Sequence, residues 1–171
     1  MKKIIALIGL MGVGKSTLGL KLANSLNYYF VDSDQEIEDR EKKSINDIFA
    51  QNGEKYFREA ERKLIEEITS RDENIIISLG GGAFINEASR EILQQRALII
   101  WINASVNVIL QRIGNKANRP LLNQTDKRKT LEDLARKRFP IYSQSDLKFD
   151  TGEESHEVII QKIKKYLKNE K

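Results

Sequence analysis

Gly9-Leu10-Met11-Gly12-Val13-Gly14-Lys15-Ser16 decides how this chain is read. The stretch closes an apolar run, Ile4-Ile5-Ala6-Leu7-Ile8, and opens a segment in which Leu18, Leu22 and Leu26 recur every fourth residue. A buried strand, a glycine-rich turn and an amphipathic helix, in that order, form the setting in which the pattern G-x-x-x-x-G-K-[ST] binds phosphate. Glycine at 9, 12 and 14 opens backbone dihedrals closed to other residues, so that successive N–H groups turn inward toward a di- or triphosphate. The positive end of the following helix adds to that field. Lys15, read as opening an exposed helix end, is expected against the β- and γ-phosphates, and the Ser16 hydroxyl on a Mg²⁺ that bridges the same oxygens.

The 171 residues suit one domain, with enough core to need no covalent staple. Cysteine is absent, which excludes a disulfide framework, a thiolate zinc site and a cysteine nucleophile. No apolar run reaches the roughly 18 residues of a membrane span, and the N-terminal one runs into the phosphate loop, not into a cleavage site. A cytoplasmic protein without a membrane partner is expected. The 29 Lys+Arg outnumber the 25 Asp+Glu by a net charge of +4, concentrated in residues 127–138 and 162–171. Acidic residues and an apolar stripe interleave with both runs, so they read as solvated helix faces, and no nucleic-acid partner is expected. Small anions remain the expected ligands.

Outward from the loop, Tyr28-Tyr29-Phe30-Val31 reads as a short buried strand with Asp32-Ser33-Asp34 at its carboxyl end. Ligands of open α/β sheets sit outside that end. One carboxylate there suits the water shell of a metal and the other a transferred proton, although either also suits a helix N-cap. Ser44-Ile45-Asn46-Asp47 looks like a capped helix start, and Gly53 separates it from a longer helix whose inward stripe is Phe57, Ala60, Leu64, Ile65 and Ile68. Arg58 borders that stripe between Glu54 and Glu61. Those carboxylates either hold its guanidinium for a substrate carboxylate or form ordinary surface ion pairs.

Ile75-Ile76-Ile77-Ser78-Leu79 reads as a central parallel strand ending in Gly80-Gly81-Gly82, where bare backbone can touch a ligand. No aspartate ends this strand, which leaves Asp32 and Asp34 as the metal-side candidates. Residues 86–95 suit a helix, Ala97-Leu98-Ile99-Ile100-Trp101-Ile102 a fourth strand, and residues 105–112 a helix capped by Ser105. Residues 114–124, with Arg119 and Pro120, have the composition of a surface loop, which suits a lid whose arginine meets charge developing on a transferred phosphoryl group. A basic helix over 130–139 follows, with Arg138 at its end, where it either caps carbonyls or reaches a ligand. Leu147-Lys148-Phe149 offers a fifth strand. The last helix turns Val158, Ile159, Ile163 and Leu167 inward, and the sole histidine, His156, reads as a surface residue in its first turn.

The ordered set of Gly9 to Ser16, Asp32-Ser33-Asp34, Phe57-Arg58-Glu59-Ala60-Glu61, Gly80-Gly81-Gly82, Arg119-Pro120-Leu121-Leu122 and Arg138 with Tyr142 resembles the shikimate kinase family along essentially the whole chain. The resemblance implies a five-stranded parallel sheet flanked by helices, of the P-loop nucleoside-monophosphate-kinase kind. It also implies a substrate-binding region over about 33–61 and a lid over about 112–124 within one domain, 1–171. Transfer of the γ-phosphoryl of ATP to the 3-hydroxyl of shikimate would follow, with Mg²⁺, in a protein expected to be a monomer. By position, Lys15, Asp34 and Arg119 would be catalytic. Gly12, Val13, Gly14, Lys15, Ser16, Thr17, Arg112 and Arg119 would bind the nucleotide, Arg112 beside the adenine with residues 150–154. Asp34, Arg58, Gly80, Gly81, Gly82 and Arg138 would bind shikimate, and Ser16 and Asp32 the metal. A sister kinase, such as one for gluconate, would share the loop and differ around Arg58 and Arg138. A guanine-reading switch would need Asn-Lys-x-Asp after a strand, and Ile102-Asn103-Ala104-Ser105 does not supply it.

Overall fold

The structure, a computed structural model, describes residues 3–114 and 126–169. Three uninterrupted apolar runs become strands β1 (Ile4–Ile8), β3 (Ile75–Ser78) and β4 (Ala97–Asn103), buried along nearly their whole length. Strands covered on both faces read this way because neither face meets water. With β2 (Tyr29–Asp32) and β5 (Leu147–Asp150) they form a parallel sheet of order β2-β3-β1-β4-β5, in register Tyr29 to Ile75, Ile4 to Ile75, Ile4 to Ala97 and Ile100 to Leu147. Seven helices among the described residues flank it: α1 (Lys15–Leu26), α2 (Ser33–Glu41), α3 (Ile45–Ser70), α4 (Glu87–Arg96), α5 (Val106–Ile113), α6 (Lys127–Tyr142) and α7 (His156–Asn169). None of them is long and apolar enough to cross a membrane.

Parallel strands deliver every carboxyl end to one side of the sheet, and that side collects the glycine-rich loop after β1, Asp32 to Asp34 after β2, and the three glycines after β3. β3 lies between β1 and β2. The glycine loops therefore leave neighbouring central strands, while the aspartates stand one strand farther out. β2 is not the buried strand expected over 28–31: it starts one residue later at the sheet edge, and Tyr29 is 67% exposed.

The expected caps hold, with Ser44 and Ser105 accepting from the amides of Asp47 and Val108, and Asn86, read as the first helical residue, also proves to be a cap, accepting from the Ser89 amide. α6 is longer at both ends than residues 130–139. Asp126 caps it early through the Lys129 amide, and Pro140 lies in its last turn, where the missing N–H removes one rung and the ladder resumes to Ser143, whose amide donates to the Phe139 carbonyl. In α7, Ile159, Ile163 and Leu167 are inward as expected, but Val158 is exposed and the stripe widens to Ile160 on its other side.

α3 bends at Gly53, whose φ of 80° and ψ of 170° lie outside helical space. A Cβ there meets nothing within 4 Å, so glycine is required by the dihedral alone. Gly53→Ala is accordingly expected to lower the unfolding free energy by about 1–3 kcal/mol in urea titration, the cost of a side chain at a glycine-only dihedral. An unchanged midpoint would mean that the bend relaxes.

Candidate active site

The loop after β1 takes the form its glycines allow, with φ of 146°, 78° and 96° at Gly9, Gly12 and Gly14. Lys15 is not at an exposed helix end. It is 9% exposed and folds back so that Nζ donates to the carbonyls of Gly9 at 3.0 Å and Leu10 at 2.9 Å. An ammonium held by two neutral carbonyls is placed beside the loop amides, where phosphate oxygens offer it a stronger charged partner. Ser16 Oγ donates to Asp32 Oδ2 at 2.5 Å and lies 3.2 Å from Ser78 Oγ. Asp32 Oδ1 accepts from the amides of Asp34 and Gln35. The cap reading of Asp32 holds: one oxygen caps α2, and the other contacts Ser16 of the phosphate loop.

A pocket of about 450 Å³ opens over this loop, lined by Gly12, Gly14, Lys15, Ser16, Thr17, Arg112 and His156 among others. Arg112 Nη1 donates to the Val13 carbonyl at 3.0 Å and to Thr151 Oγ1 at 2.8 Å, and Nη2 donates to the Thr151 carbonyl at 2.6 Å. Thr151 is itself buried, and its hydroxyl donates to the Val13 carbonyl at 2.8 Å. The turn after β5 thereby braces the loop after β1. His156 borders the pocket as well, where burial, and then Lys21, lower its imidazole pKa and favour the neutral form. Its reading as a plain surface residue is corrected. The turn after β5 lies at the sheet's ligand side, and that position, not the helical stripe, is the signal that would have found both His156 and Thr151.

Beside this cradle the three glycines after β3 draw together side chains from three helices. A Cβ on Gly80 would stand 2.6 Å from Asp34 Oδ1, one on Gly81 2.8 Å from Arg138 Nη1, and one on Gly82 2.5 Å from Arg58 Cζ. The Gly81 position is also 3.5 Å from the Gly9 carbonyl, so this cluster of charged side chains abuts the phosphate loop. Ser33 Oγ accepts from the Gly80 amide at 3.1 Å, and Tyr142 donates to the Gly81 carbonyl at 2.5 Å, its phenol pushed by burial to about 12. Trp101 packs against Tyr142 and Phe139 and backs that contact.

Arg58 Nη1 donates to Glu61 Oε2 at 2.8 Å, and Nε reaches Glu54 Oε1 at 3.4 Å. Burial works to lower the guanidinium pKa, and the Glu61 and Glu54 carboxylates overcome it, so Arg58 stays charged. Glu61 is wholly buried, which raises its carboxyl to about 7 despite Arg58. Its folded pKa exceeds the ordinary value, so its contribution to stability is present at low pH and lost as pH rises to about 7. Arg58 is thus both ion-paired and aimed at the glycines. The expected residues Lys15, Ser16, Asp32, Asp34, Arg58, Gly80, Gly81, Gly82, Arg112 and Arg138 come together. Arg119 and most of the lid expected over 112–124 lie outside the described residues.

Comparison with known proteins gives one consistent answer. A family model described as shikimate kinase matches residues 11–168. A shikimate kinase of Zymomonas mobilis is 42% identical over 161 residues, 94% of this chain and 91% of the relative. A solved structure of shikimate kinase from Acinetobacter baumannii in complex with shikimate superposes with a TM-score of 0.92 at 36% identity, covering 98% of this chain and 94% of the other. Shikimate kinase from Aquifex aeolicus follows at a TM-score of 0.80 and 37% identity, covering 98% and 97%.

Thr151→Val keeps the shape and removes the hydroxyl that joins Val13 to Arg112. The expected result is a loss of about 1–3 kcal/mol in urea unfolding together with weaker nucleotide binding by titration calorimetry. Unchanged nucleotide affinity would mean that the brace does not shape the loop.

Proposed function

This chain belongs to the shikimate kinase family, and on that premise we propose how its residues carry transfer of the γ-phosphoryl group of ATP to the 3-hydroxyl of shikimate. The observation that carries the reading is a juxtaposition: a pocket over the phosphate loop after β1, and beside it two guanidinium groups and a carboxylate gathered on bare backbone after β3. The first suits a polyphosphate and the second a hydroxylated carboxylic acid.

In this reading the amides of Gly12, Val13, Gly14, Lys15, Ser16 and Thr17 receive the phosphates, and Lys15 exchanges its two carbonyl partners for β- and γ-phosphate oxygens. Arg112 and the turn over 150–154 flank the adenine. Arg58 and Arg138 take the shikimate carboxylate, and Asp34 accepts a hydrogen bond from the 3-hydroxyl. That hydroxyl oxygen forms the new bond to the γ-phosphorus as the bond to the β-phosphate oxygen breaks; its proton passes to Asp34, and ADP leaves. Arg119, carried by the family resemblance, meets the transferred group from the lid. The transition state is loose, so holding donor and acceptor in line and neutralising charge account for most of the rate.

The donor set near the loop fits Mg²⁺. Ser16 Oγ and Asp32 are hard oxygen donors already in contact, and no group of three or more His, Cys, Asp or Glu among the described residues would make a protein-only cage. Magnesium is commonly held by one or two protein oxygens with substrate phosphates and water completing the shell. Ser16 and Asp32 would hold it, and once bound there it neutralises charge on the β- and γ-phosphate oxygens. One domain acting as a cytoplasmic monomer, with a substrate region over 33–61 and a lid over 112–124, completes the proposal.

Arg58→Lys keeps the charge and loses the planar fork that matches two carboxylate oxygens. A hydrogen bond to a charged group is worth about 1.5–3 kcal/mol, so shikimate is expected to bind roughly 10- to 150-fold more weakly in calorimetry while ATP affinity barely moves. A twofold effect, the size expected of a helix-surface ion pair, or an equal loss for ATP, would defeat the assignment.

A further inference from the structure

Glu61 stands behind the acceptor pocket with one oxygen engaged and the other bare. Oε2 accepts from Arg58 Nη1 at 2.8 Å, while Oε1 is buried and has no hydrogen-bond partner among the described residues. Oε1 does not face an apolar wall. It and Asp34 Oδ1 both lie within 3.0 Å of the single point where a side chain on Gly80 would begin, so two carboxylates converge there with no room for a Cβ between them. Burying an ionised carboxylate with one oxygen unmatched is costly, and a second carboxylate alongside adds repulsion. A proton on Oε1 removes both costs. Arg58 opposes this, and the outcome of the contest is a carboxyl that titrates at about 7. The charged and titratable groups turned toward Glu61 are Arg58 on α3, itself shared with Glu54, Asp34 on α2, and Arg138 and Tyr142 on α6.

We propose that Glu61 is a positioning residue that takes up a proton from solvent as the carboxylate of the substrate docks on Arg58 and Arg138. The inference rests on the reading that this pocket receives shikimate. A carboxylate arriving on Arg58 competes with Glu61 for the same guanidinium, and it brings a third negative charge into a pocket that already holds Asp34 and Glu61 against two arginines. Protonation of Glu61 restores the balance and leaves Oε2 still accepting from Arg58, so the guanidinium keeps its aim while its charge is released to the substrate. The carboxyl acts through Arg58 and does not touch the reacting atoms.

The test is titration calorimetry of shikimate into the full chain at pH 7 in PIPES and in Tris, whose ionisation heats differ widely. A carboxyl half-protonated near pH 7 and more so in the complex gives an uptake of about 0.4 proton per shikimate, and an affinity that falls about fivefold from pH 6 to pH 8 if the complex holds that proton tenfold more tightly. The substrate carboxylate titrates near 4 and adds nothing in this range. In Glu61→Gln the uptake is expected to vanish and the affinity to become flat with pH. Zero uptake in the wild type overturns the inference even if the variant fails to fold, and uptake that persists in Glu61→Gln overturns it by assigning the proton to another group. Shikimate binding with no dependence on buffer refutes this inference alone, whereas absence of shikimate binding refutes the pocket assignment with it.

Discussion

Everything at the acceptor side depends on a stretch of chain that has no side chains. Gly80, Gly81 and Gly82 follow the buried strand β3, and Asp34, Arg138 and Arg58 occupy the places where their Cβ atoms would be. Helices α2, α6 and α3 can bring charged groups that close to a backbone only because the backbone is bare. Ser33 and Tyr142 bond the Gly80 amide and Gly81 carbonyl, and so fix the loop from both sides. The glycines here supply close approach, a different service from the left-handed dihedrals of Gly12 and Gly14 one strand away.

The nucleotide side is organised by charge. Lys15 is held buried against two carbonyls of its own loop, and the Arg112 and Thr151 brace ties that loop to the turn after β5. A phosphate therefore meets amides and an ammonium that are already collected, and little ordering is left to be done on binding. Asp32 links the two sides: through one carboxylate it caps the helix that carries Asp34 and contacts Ser16 at the phosphate loop.

Much of this was legible in the sequence for identifiable reasons. Uninterrupted apolar runs marked β1, β3 and β4 because central parallel strands have no wet face, and Ser44 and Ser105 marked helix starts through their caps. The phosphate loop was legible as a local motif. Strand order was not, since spacing does not say that β3 inserts between β1 and β2, and a strand expected to be buried proved to be an edge. For the same reason, nothing local distinguished Arg58 as an ion pair from Arg58 as a ligand group; the fold pairs it with Glu61 and aims it at the glycines. Lys15 burial, the Thr151 hydroxyl and the place of His156 depend on contacts across more than a hundred residues or on a folded-back rotamer, and no periodicity encodes those.

Bare backbone after β3 sets the position of the Arg58 guanidinium. Calorimetry on Gly82→Ala tests it most directly. The added Cβ would overlap the Arg58 guanidinium, the far end of a flexible side chain, so it should move aside at little cost in stability, within about 1 kcal/mol of the wild type. Shikimate affinity is expected to fall more than about tenfold, since the displaced fork loses a charge-assisted bond, while ATP binds as before. A folded Gly82→Ala protein that binds shikimate with wild-type affinity would contradict it.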